Sequence, residues 1–245
     1  MDPVVRKLNK LHALSGSDID EIHRCSLRRQ HYHHDAQICR EGERFVCRAV
    51  LSGWVAQVRE LPDGRRQIFS FLLPGDLIGM RRSSQAHSSL IAMTEVVTAD
   101  ITPLCERVGD GRSSMALQKA CGRAEEMEER ILLNHIVRLG RQTASQRLAH
   151  ILLEIGERLA MADQADPCDY TLPITQENLA DALGLSLVHI NRTIQTLRRE
   201  QLMHLHGRHV VLLRPERLAS LAGFTPIEEQ GARSSPRAEP RSWVN

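Results

Sequence analysis

Residues 175–202, TQENLADALGLSLVHINRTIQTLRREQL, form the segment that most restricts the fold of this chain. Leu179 and Leu183 fall on one face of a helix. Gly184 is placed to end that helix, and Ser186 is placed to cap a second one. The spacing therefore predicts two short helices joined by a tight turn.

The second helix has one narrow apolar stripe and an otherwise polar surface. Ile190, Ile194 and Leu197 form the stripe. A helix-turn-helix has this combination, because apolar contacts hold its second helix in place while the polar side enters the major groove of DNA. The alternative is a helical hairpin with a solvated face. LMHLHGRHVVLLR (202–214) favours the DNA-binding interpretation, since two strand-like runs around a Gly predict a β-wing directly after the helices.

Side-chain chemistry assigns DNA contacts within this unit. Arg192 can donate two hydrogen bonds to guanine, Asn191 or Gln195 can pair with adenine, and Val188 can touch a thymine methyl group. Short polar groups at the start of the first helix are placed to meet phosphate. The predicted DNA-contacting residues, including two at the tip of the wing, are Thr175, Gln176, Ser186, Val188, His189, Asn191, Arg192, Gln195, Arg199, His206 and Arg208.

The segment from Leu27 to about Ile101 predicts a β-rich domain. Short apolar runs alternate there with turn sequences such as EGE, SG and LPGD. WVAQVREL and RQIFSFLL flank a PDG turn and predict a β-hairpin. Repeated short strands at this spacing indicate an antiparallel sandwich or a jelly-roll barrel, so the fold class is α+β.

A long helix is predicted from about residue 113 to 139. Six positions alternate steps of three and four, which is the spacing of a coiled-coil seam. We interpret this seam as the interface of a homodimer; the alternative is a core helix of the barrel domain. The seam residues are Leu117, Ala120, Ala124, Met127, Ile131 and Asn134.

Composition agrees with a globular chain. The 245 residues are 42% hydrophobic with a formal charge of only +2, so any basic surface must be local. No apolar run is long enough for a membrane span, and no signal peptide is evident. Six scattered cysteines predict reduced thiols in a cytoplasmic protein that does not contact a membrane. The predicted divisions are a barrel at 1–110, a dimer helix at 111–140, a DNA-binding domain at 141–225 and a disordered tail at 226–245.

HYHHD, residues 31–35, is the one motif that suggests metal chemistry. His31 and His33 alternate onto one face of a strand, as two ligands of a barrel oxygenase do. Glu41 and Glu43 come too late for that pattern, and no nucleophile triad, phosphate loop or dinucleotide-binding glycine motif is present. We therefore expect a protein without a metal ion or enzymatic activity. A metal-dependent barrel enzyme and a haem or small-molecule sensor stay open as alternatives.

Three segments resemble the Crp/Fnr family of bacterial transcription regulators. They are LPDGRRQIFSFLLPGDLIGM (61–80), LGRQTASQRLAHILLEI (139–155) and LPITQENLADALGLSLVHINRTIQTLRREQLMHLHGRHVVLL (172–213). The resemblance implies a sensor barrel, a dimerisation helix and a winged helix-turn-helix that binds a palindromic site in double-stranded DNA.

The resemblance also implies a contact with RNA polymerase. The acidic segment 161–170 lies where members of the family carry an activating surface. The candidate contacts are Asp163, Asp166 and Asp169. A soluble linker is the alternative for this segment.

The chain departs from the family's pattern at three places. Val188 stands where many members have a Glu ahead of the retained Arg192, which implies a different operator. The cyclic-nucleotide binders carry Gly-Glu-Leu and Arg-Ser, whereas this chain has GMR at 79–81 and AHS at 86–88, so cyclic AMP is not an expected ligand.

The N-terminal cysteines give little support to an iron–sulfur cluster. Cys25, Cys39 and Cys47 are more widely spaced than the close cysteine group of the oxygen-sensing members. We therefore expect no cluster, while haem binding through a His or Cys stays open.

Overall fold

A computed structural model describes residues 2–25, 28–80 and 85–226 of the chain. The tail predicted at 226–245 lies, from residue 227 onward, outside the described residues. Two short helices, α1 (Pro3–Leu11) and α2 (Gly16–Cys25), precede the strands.

The N-terminal domain is a jelly-roll barrel of two antiparallel sheets, as predicted. The strands are β1 (Arg29–Tyr32), β2 (Gln37–Cys39), β3 (Arg48–Ser52), β4 (Val55–Glu60), β5 (Arg66–Leu72), β6 (Leu77–Ile78), β7 (Ser89–Ala92) and β8 (Val96–Asp100). One sheet has the order β1-β8-β3-β6 and the other β2-β7-β4-β5.

The predicted hairpin is β4–β5, paired from Val55↔Leu72 to Glu60↔Arg66. Side chains alternate between the two faces of this sheet. Val55 and Leu72 face the interior of the barrel, whereas Ala56 and Phe71 belong to a core shared with the C-terminal domain. The barrel and the C-terminal domain are therefore packed on each other through one sheet.

Three helices connect the two domains. They are α3 (Thr102–Gly109), α4 (Met115–Arg141) and α5 (Ala144–Met161). Ser114 caps α4 by accepting a hydrogen bond from the Leu117 amide at 3.0 Å. A capping box of Thr143 and Gln146 begins α5, and this break separates α4 and α5 into two helices.

Four of the six residues predicted as a dimer seam on α4 are buried in the chain's own core, and the assignment is corrected for those four. Leu117 and Ala120 are buried with α1 and β3, while Met127 and Ile131 form a small cluster with Met161. Ala124 and Asn134 are half-buried. The exposed apolar side chains of α4 are instead Met115, Leu132, Leu133, Ile136 and Val137. The helix therefore carries two apolar stripes, one buried and one exposed, and the sequence pattern selected the buried one.

Asp76 joins three parts of the molecule in a buried ionic cluster. Its carboxylate accepts hydrogen bonds from Arg158 Nη2 at 2.6 Å, from the Leu73 amide at 2.6 Å and from Lys7 Nζ. Burial alone would raise the pKa of Asp76, but Arg158 and Lys7 hold this pKa below its usual value. The carboxylate therefore stays charged and links α1, the barrel and α5.

A second buried cluster fixes α4 against α5. Arg138 Nη1 donates to Glu154 Oε2 at 2.8 Å and lies 3.0 Å from His150 Nδ1. Burial, reinforced by the charge of Arg138, lowers the pKa of both His135 and His150 to about 4. Both imidazoles are therefore neutral at physiological pH.

These histidines make stability depend on pH. An unfolded histidine takes up a proton near pH 6.5, whereas the folded groups do so only near 4. Their contribution to the free energy of unfolding is complete above about pH 6.5. It is lost as the pH falls towards 4, because the unfolded state then binds more protons than the folded state. We expect the free energy of unfolding to drop by about 1–2 kcal/mol per histidine between pH 7.5 and 5.

Chemical denaturation at the two pH values measures this loss. His150→Gln should remove part of the acid sensitivity, because glutamine takes up no proton in this pH range. The glutamine carbonyl can still accept a hydrogen bond from Arg138. His31→Gln, which changes an exposed histidine, should leave it intact. Equal unfolding free energies at pH 7.5 and 5 in the parent protein would contradict the prediction.

Candidate nucleic-acid interface

The first helix of the predicted helix-turn-helix is α6 (Gln176–Leu183). Thr175 Oγ1 accepts from the Asn178 amide at 3.1 Å, and Asn178 Oδ1 accepts from the Thr175 amide at 2.8 Å. This reciprocal cap begins α6. Gly184 ends it with a φ of 60°, in the left-handed region that glycine adopts without strain.

The second helix, α7 (Leu187–Arg199), is held by the predicted apolar stripe. Ser186 Oγ accepts from the His189 amide at 3.2 Å and caps the helix. Ile190, Ile194 and Leu197 are all buried in the core that α7 shares with α5 and α6. The outward side of α7 is thereby fixed.

Four exposed residues lie along the centre of that outward side. Val188, Arg192, Gln195 and Arg199 are spaced by four, three and four residues, so they fall opposite the buried stripe. Arg199 folds back along the helix, with Nε 3.4 Å from the Gln195 carbonyl oxygen. Val188 and Arg192 therefore dominate the N-terminal half of the stripe, which is the part of a recognition helix that meets base edges.

A three-stranded sheet forms the wing. It has the order β10-β11-β9, with β9 (Asp169–Thr171), β10 (Met203–His206) and β11 (His209–Leu212), and α8 (Pro215–Ala222) comes after it. Gly207, with a φ of 60°, forms the predicted turn. His206 and Arg208 are exposed on either side of this glycine.

The predicted DNA-contacting residues therefore lie on three elements: the start of α6, the outward side and flanks of α7, and the tip of the wing. Ten of the eleven are exposed, and Gln176 is half-buried. The hydroxyl groups of Thr175 and Ser186 serve first as helix caps. Asn191 Nδ2 donates to the Leu187 carbonyl at 3.1 Å, which orients its amide along the helix.

Two residues of the barrel hairpin hold the helix-turn-helix and were not foreseen from the sequence. Arg66 Nε donates to Asp181 Oδ2 at 2.6 Å. Gln67 Nε2 donates to the carbonyl oxygens of Asp181 at 2.9 Å and Ala182 at 3.3 Å. Carbonyls in the last turn of a helix have no partner within the helix, so β5 completes the hydrogen bonding of α6.

A cavity of about 380 Å³ lies between the barrel and α4. Its wall is mainly apolar and includes Phe45, Met80 and Leu90 from the barrel with Leu132 and Leu133 from α4. Gln57 and Ser88 also line it and hydrogen-bond to each other at 2.9 Å.

The GMR segment forms part of this wall, although Arg81 lies outside the described residues. Gly79 has a φ of 82°, and a Cβ there would overlap the ring of Phe45. The thioether of Met80 lies 3.2 Å from Cys105 Sγ, so this side chain is packed into the core.

The histidine motif only begins on β1, which ends at Tyr32, so His33 lies beyond the strand and the predicted pairing of His31 and His33 on one strand face is wrong. His33 Nδ1 is 3.2 Å from Glu95 Oε2, and Glu41 pairs with Arg59 at 2.8 Å. Within the three described ranges of the chain, no group of three or more His, Cys, Asp or Glu side chains is arranged to hold a metal ion.

The cysteines lie in packed surroundings. All six are among the described residues, and none is in a disulfide. Burial raises the pKa of Cys121 to about 12, and it also raises the pKa of Cys25 and Cys39. A raised pKa disfavours the thiolate, which is the reactive form of a cysteine. None of the helices in the described part of the chain has the length and apolar character needed to cross a membrane.

The fold and the exposed stripe together define a winged helix-turn-helix DNA-binding protein with an N-terminal barrel. The sequence profile of the Crp-like helix-turn-helix domain matches residues 146–221, and that of the cyclic nucleotide-binding domain matches residues 29–103.

Known proteins agree with this class. The nitrogen fixation regulation protein FixK of Bradyrhizobium diazoefficiens is 33% identical over 177 residues, which cover 71% of this chain and 72% of FixK. The transcriptional activator protein FnrL of Cereibacter sphaeroides is 32% identical, with 71% of this chain and 72% of FnrL covered. The structure of FixK2 from Bradyrhizobium japonicum superposes with a TM-score of 0.69 at 29% identity, covering 79% of this chain and 96% of FixK2. The chain belongs to the Crp/Fnr family and is a DNA-binding transcription regulator.

Proposed function

We propose that the protein is a transcription activator, not an enzyme, that acts in the cytoplasm as a homodimer on a palindromic DNA site. The exposed stripe of α7 carries this proposal, because Arg192 presents a guanidinium group that can read guanine in the major groove. Two recognition helices about 34 Å apart would reach successive major grooves on one side of the duplex. The names of the relatives FixK and FnrL support a regulatory role and, for FnrL, activation.

A second copy of the chain is the proposed occupant of the exposed face of α4. Leu133, Ile136 and Val137 are 56%, 64% and 51% exposed, which is unusual for large apolar side chains on adjacent turns. Ile136 comes three residues after Leu133, and Gly140 comes four residues after Ile136, so the three positions lie on one face of α4. A two-fold axis beside this stripe would pair α4 with its copy and bury these side chains.

Ile136→Asp is expected to convert the dimer to a monomer and to abolish binding to a palindromic site. A carboxylate buried in the centre of an apolar helix pair loses its hydration and gains no hydrogen-bond partner, so it raises the free energy of the dimer. Sedimentation equilibrium measures the mass, and Leu213→Asp, at a residue 42% exposed in the C-terminal domain, is the matched control. An unchanged dimer in Ile136→Asp would exclude this face as the interface.

The barrel cavity is the proposed place where a signal acts. Leu132 and Leu133 line the cavity, and Leu133 also lies on the proposed dimer face. A small ligand with an apolar body would therefore contact the helix that sets the distance between the two DNA-binding domains. Such a ligand would change the fraction of dimers that can bind DNA, because it would shift the population between two placements of the DNA-binding domains.

The segment around β9 is the proposed contact with RNA polymerase. Asp163 and Asp169 are about half exposed; Asp163 pairs with Lys10, and Asp169 Oδ1 lies 3.0 Å from His209 Nε2. Asp166 accepts a hydrogen bond from the Cys168 amide at 2.7 Å, which orders the loop. Transcription in vitro with variants that keep full DNA affinity would separate an activating surface from a linker.

In vitro selection of random duplex DNA by the purified protein tests the proposed function. We expect enrichment of one palindrome whose half-sites are about one helical turn apart. Binding that is weak, sensitive to salt and indifferent to sequence, both without ligand and with small molecules bound in the cavity, would overturn it.

A further inference from the structure

We propose that two cysteines and one methionine, Cys47, Cys105 and Met80, form a binding site for a soft monovalent metal ion, copper(I). The site lies in the core beside the barrel and does not depend on DNA binding. The sequence-based expectation of no metal ion was drawn from the spacing of histidines and cysteines along the chain, and that spacing does not show which sulfur atoms meet in space.

Three sulfur atoms that are distant in the chain converge in this core. Cys105 Sγ, on α3, donates a hydrogen bond to Met80 Sδ at 3.2 Å. Cys105 also lies within hydrogen-bonding range of Cys47, which immediately precedes β3. Cys47 Sγ in turn donates to the carbonyl oxygen of Gly79 at 3.1 Å. The three side chains therefore form one sulfur cluster drawn from three separate parts of the chain.

The sulfur cluster is buried, but it borders the barrel cavity. Cys47, Cys105 and Met80 are 8%, 3% and 7% exposed and belong to one apolar core. Met80 and Gly79 also line the cavity of about 380 Å³ between the barrel and α4. An ion that enters this cavity therefore meets the thioether of Met80 first, and the thiols lie directly behind it.

The chemistry of the ligands selects the ion. Thiolate and thioether sulfur are soft ligands that favour Cu(I), whereas Mg²⁺ and Ca²⁺ require oxygen ligands, which this apolar core does not offer. Closed zinc sites have four ligands, and the sulfur cluster supplies three. Three sulfur atoms at about 2.3 Å from one ion lie about 4 Å from each other. Met80, whose unbranched side chain adapts to irregular spaces, has to move by about 1 Å from its contact with Cys105.

Binding exchanges protons for the metal ion. The hydrogen bond with Cys47, together with burial, raises the pKa of Cys105, so this group is a neutral thiol when no metal ion is bound. Thiolates are the metal ligands, so one Cu⁺ displaces one proton from each of the two cysteines to solvent, and no electron is transferred. The affinity for Cu(I) should therefore rise about a hundredfold per pH unit between pH 6 and 7.5, with a factor of ten for each proton released.

Cys121 provides a matched comparison within the same core. It is 1% exposed and belongs to the same group of packed apolar residues. It raises the pKa of Cys105 through charge alone, without a hydrogen bond. Its thiol therefore lies near the sulfur cluster but outside the contacting atoms, so Cys121→Ala removes a buried sulfur atom without removing a proposed ligand.

Copper retention by the full-length protein tests the site. Reduced protein is loaded with one equivalent of Cu(I) under argon and is then challenged with excess bathocuproine disulfonate, which forms a coloured complex with Cu(I). The parent and Cys121→Ala should retain about one copper per chain, whereas Cys47→Ala and Cys105→Ala should each retain less than about a tenth of it. X-ray absorption of the loaded parent should show three sulfur neighbours at about 2.3 Å.

The outcomes separate a metal site from a packed core. Failure of the folded parent to retain copper, or equal retention by Cys105→Ala, overturns the inference. Equal losses in Cys121→Ala and Cys105→Ala also overturn it, because retention would then depend on core packing alone. Circular dichroism shows whether each variant is folded. If the alanine variants of the ligands are unfolded, Met80→Leu replaces them: it removes only the thioether and should lower the affinity for Cu(I), and an unchanged affinity overturns the three-sulfur site.

Discussion

Asp76→Asn is expected to lower the free energy of unfolding by about 3–5 kcal/mol, the largest effect on stability of any single change considered. The carboxylate is buried and holds both Lys7 and Arg158. An amide removes its charge but not theirs, so Lys7 and Arg158 lose the buried carboxylate that pairs with both of them. Urea denaturation followed by circular dichroism measures the change.

The Asp163–Lys10 pair is the control for this substitution. It also joins the N-terminal helix to the end of α5, but both side chains are exposed. Water and salt screen such pairs, so Asp163→Asn should leave the unfolding midpoint unchanged. If Asp76→Asn unfolds at the same urea concentration as the parent, the cluster does not hold α1, the barrel and α5 together.

Arg192→Ala is expected to weaken binding to the selected site by about 1–3 kcal/mol per half-site and to relax the base preference at the guanine. The guanidinium group can give two parallel hydrogen bonds to guanine, and alanine gives none. Arg192→Lys keeps the charge without the forked geometry, so it should recover nonspecific affinity but not the preference for guanine. Fluorescence anisotropy with cognate and point-changed duplexes measures both quantities.

Ile190→Ala separates loss of contact from loss of folding. Ile190 is fully buried, and its truncation should destabilise the C-terminal domain by about 2–5 kcal/mol. Arg192→Ala, which changes an exposed side chain, should unfold with the parent. Tight and selective binding by Arg192→Ala would mean that another residue reads the guanine.

The helix-turn-helix was predictable because its signals are local. The cap at Ser186, the turn at Gly184 and the buried stripe of α7 are all encoded within one short segment. The hairpin β4–β5 was predictable for the same reason, since its turn and alternation are adjacent in the chain. In each case the local preference and the final packing agree.

The predicted dimer seam of α4 shows what a local sequence pattern does not determine. A spacing of three and four residues gives the period of a helix, but it does not say which of two apolar stripes meets the rest of the chain. Leu117 and Ile131 turned out to face inward, and Ile136 outward. The choice depends on the positions of α1 and the barrel, which no pattern within α4 encodes.

The contacts of Gln67 and Asp76 were beyond sequence reasoning for a related cause. Gln67 meets residues more than a hundred positions further along the chain, and Asp76 meets Lys7 near the N-terminus and Arg158 in α5. A polar residue in a strand or a turn is ordinarily solvated, and nothing in its own segment indicates a partner on a distant helix.

The way in which Gln67 completes the last turn of α6 bears on how such a chain can change over evolutionary time. A sensor domain and a DNA-binding domain that are joined only by a linker can be exchanged between relatives without loss of contacts. Here the end of one domain's helix is finished by the other domain's strand, and Phe71 and Leu73 of the barrel share a core with α5. A transplanted DNA-binding domain would therefore arrive with an incomplete helix, so β4 and β5 must be inherited together with it.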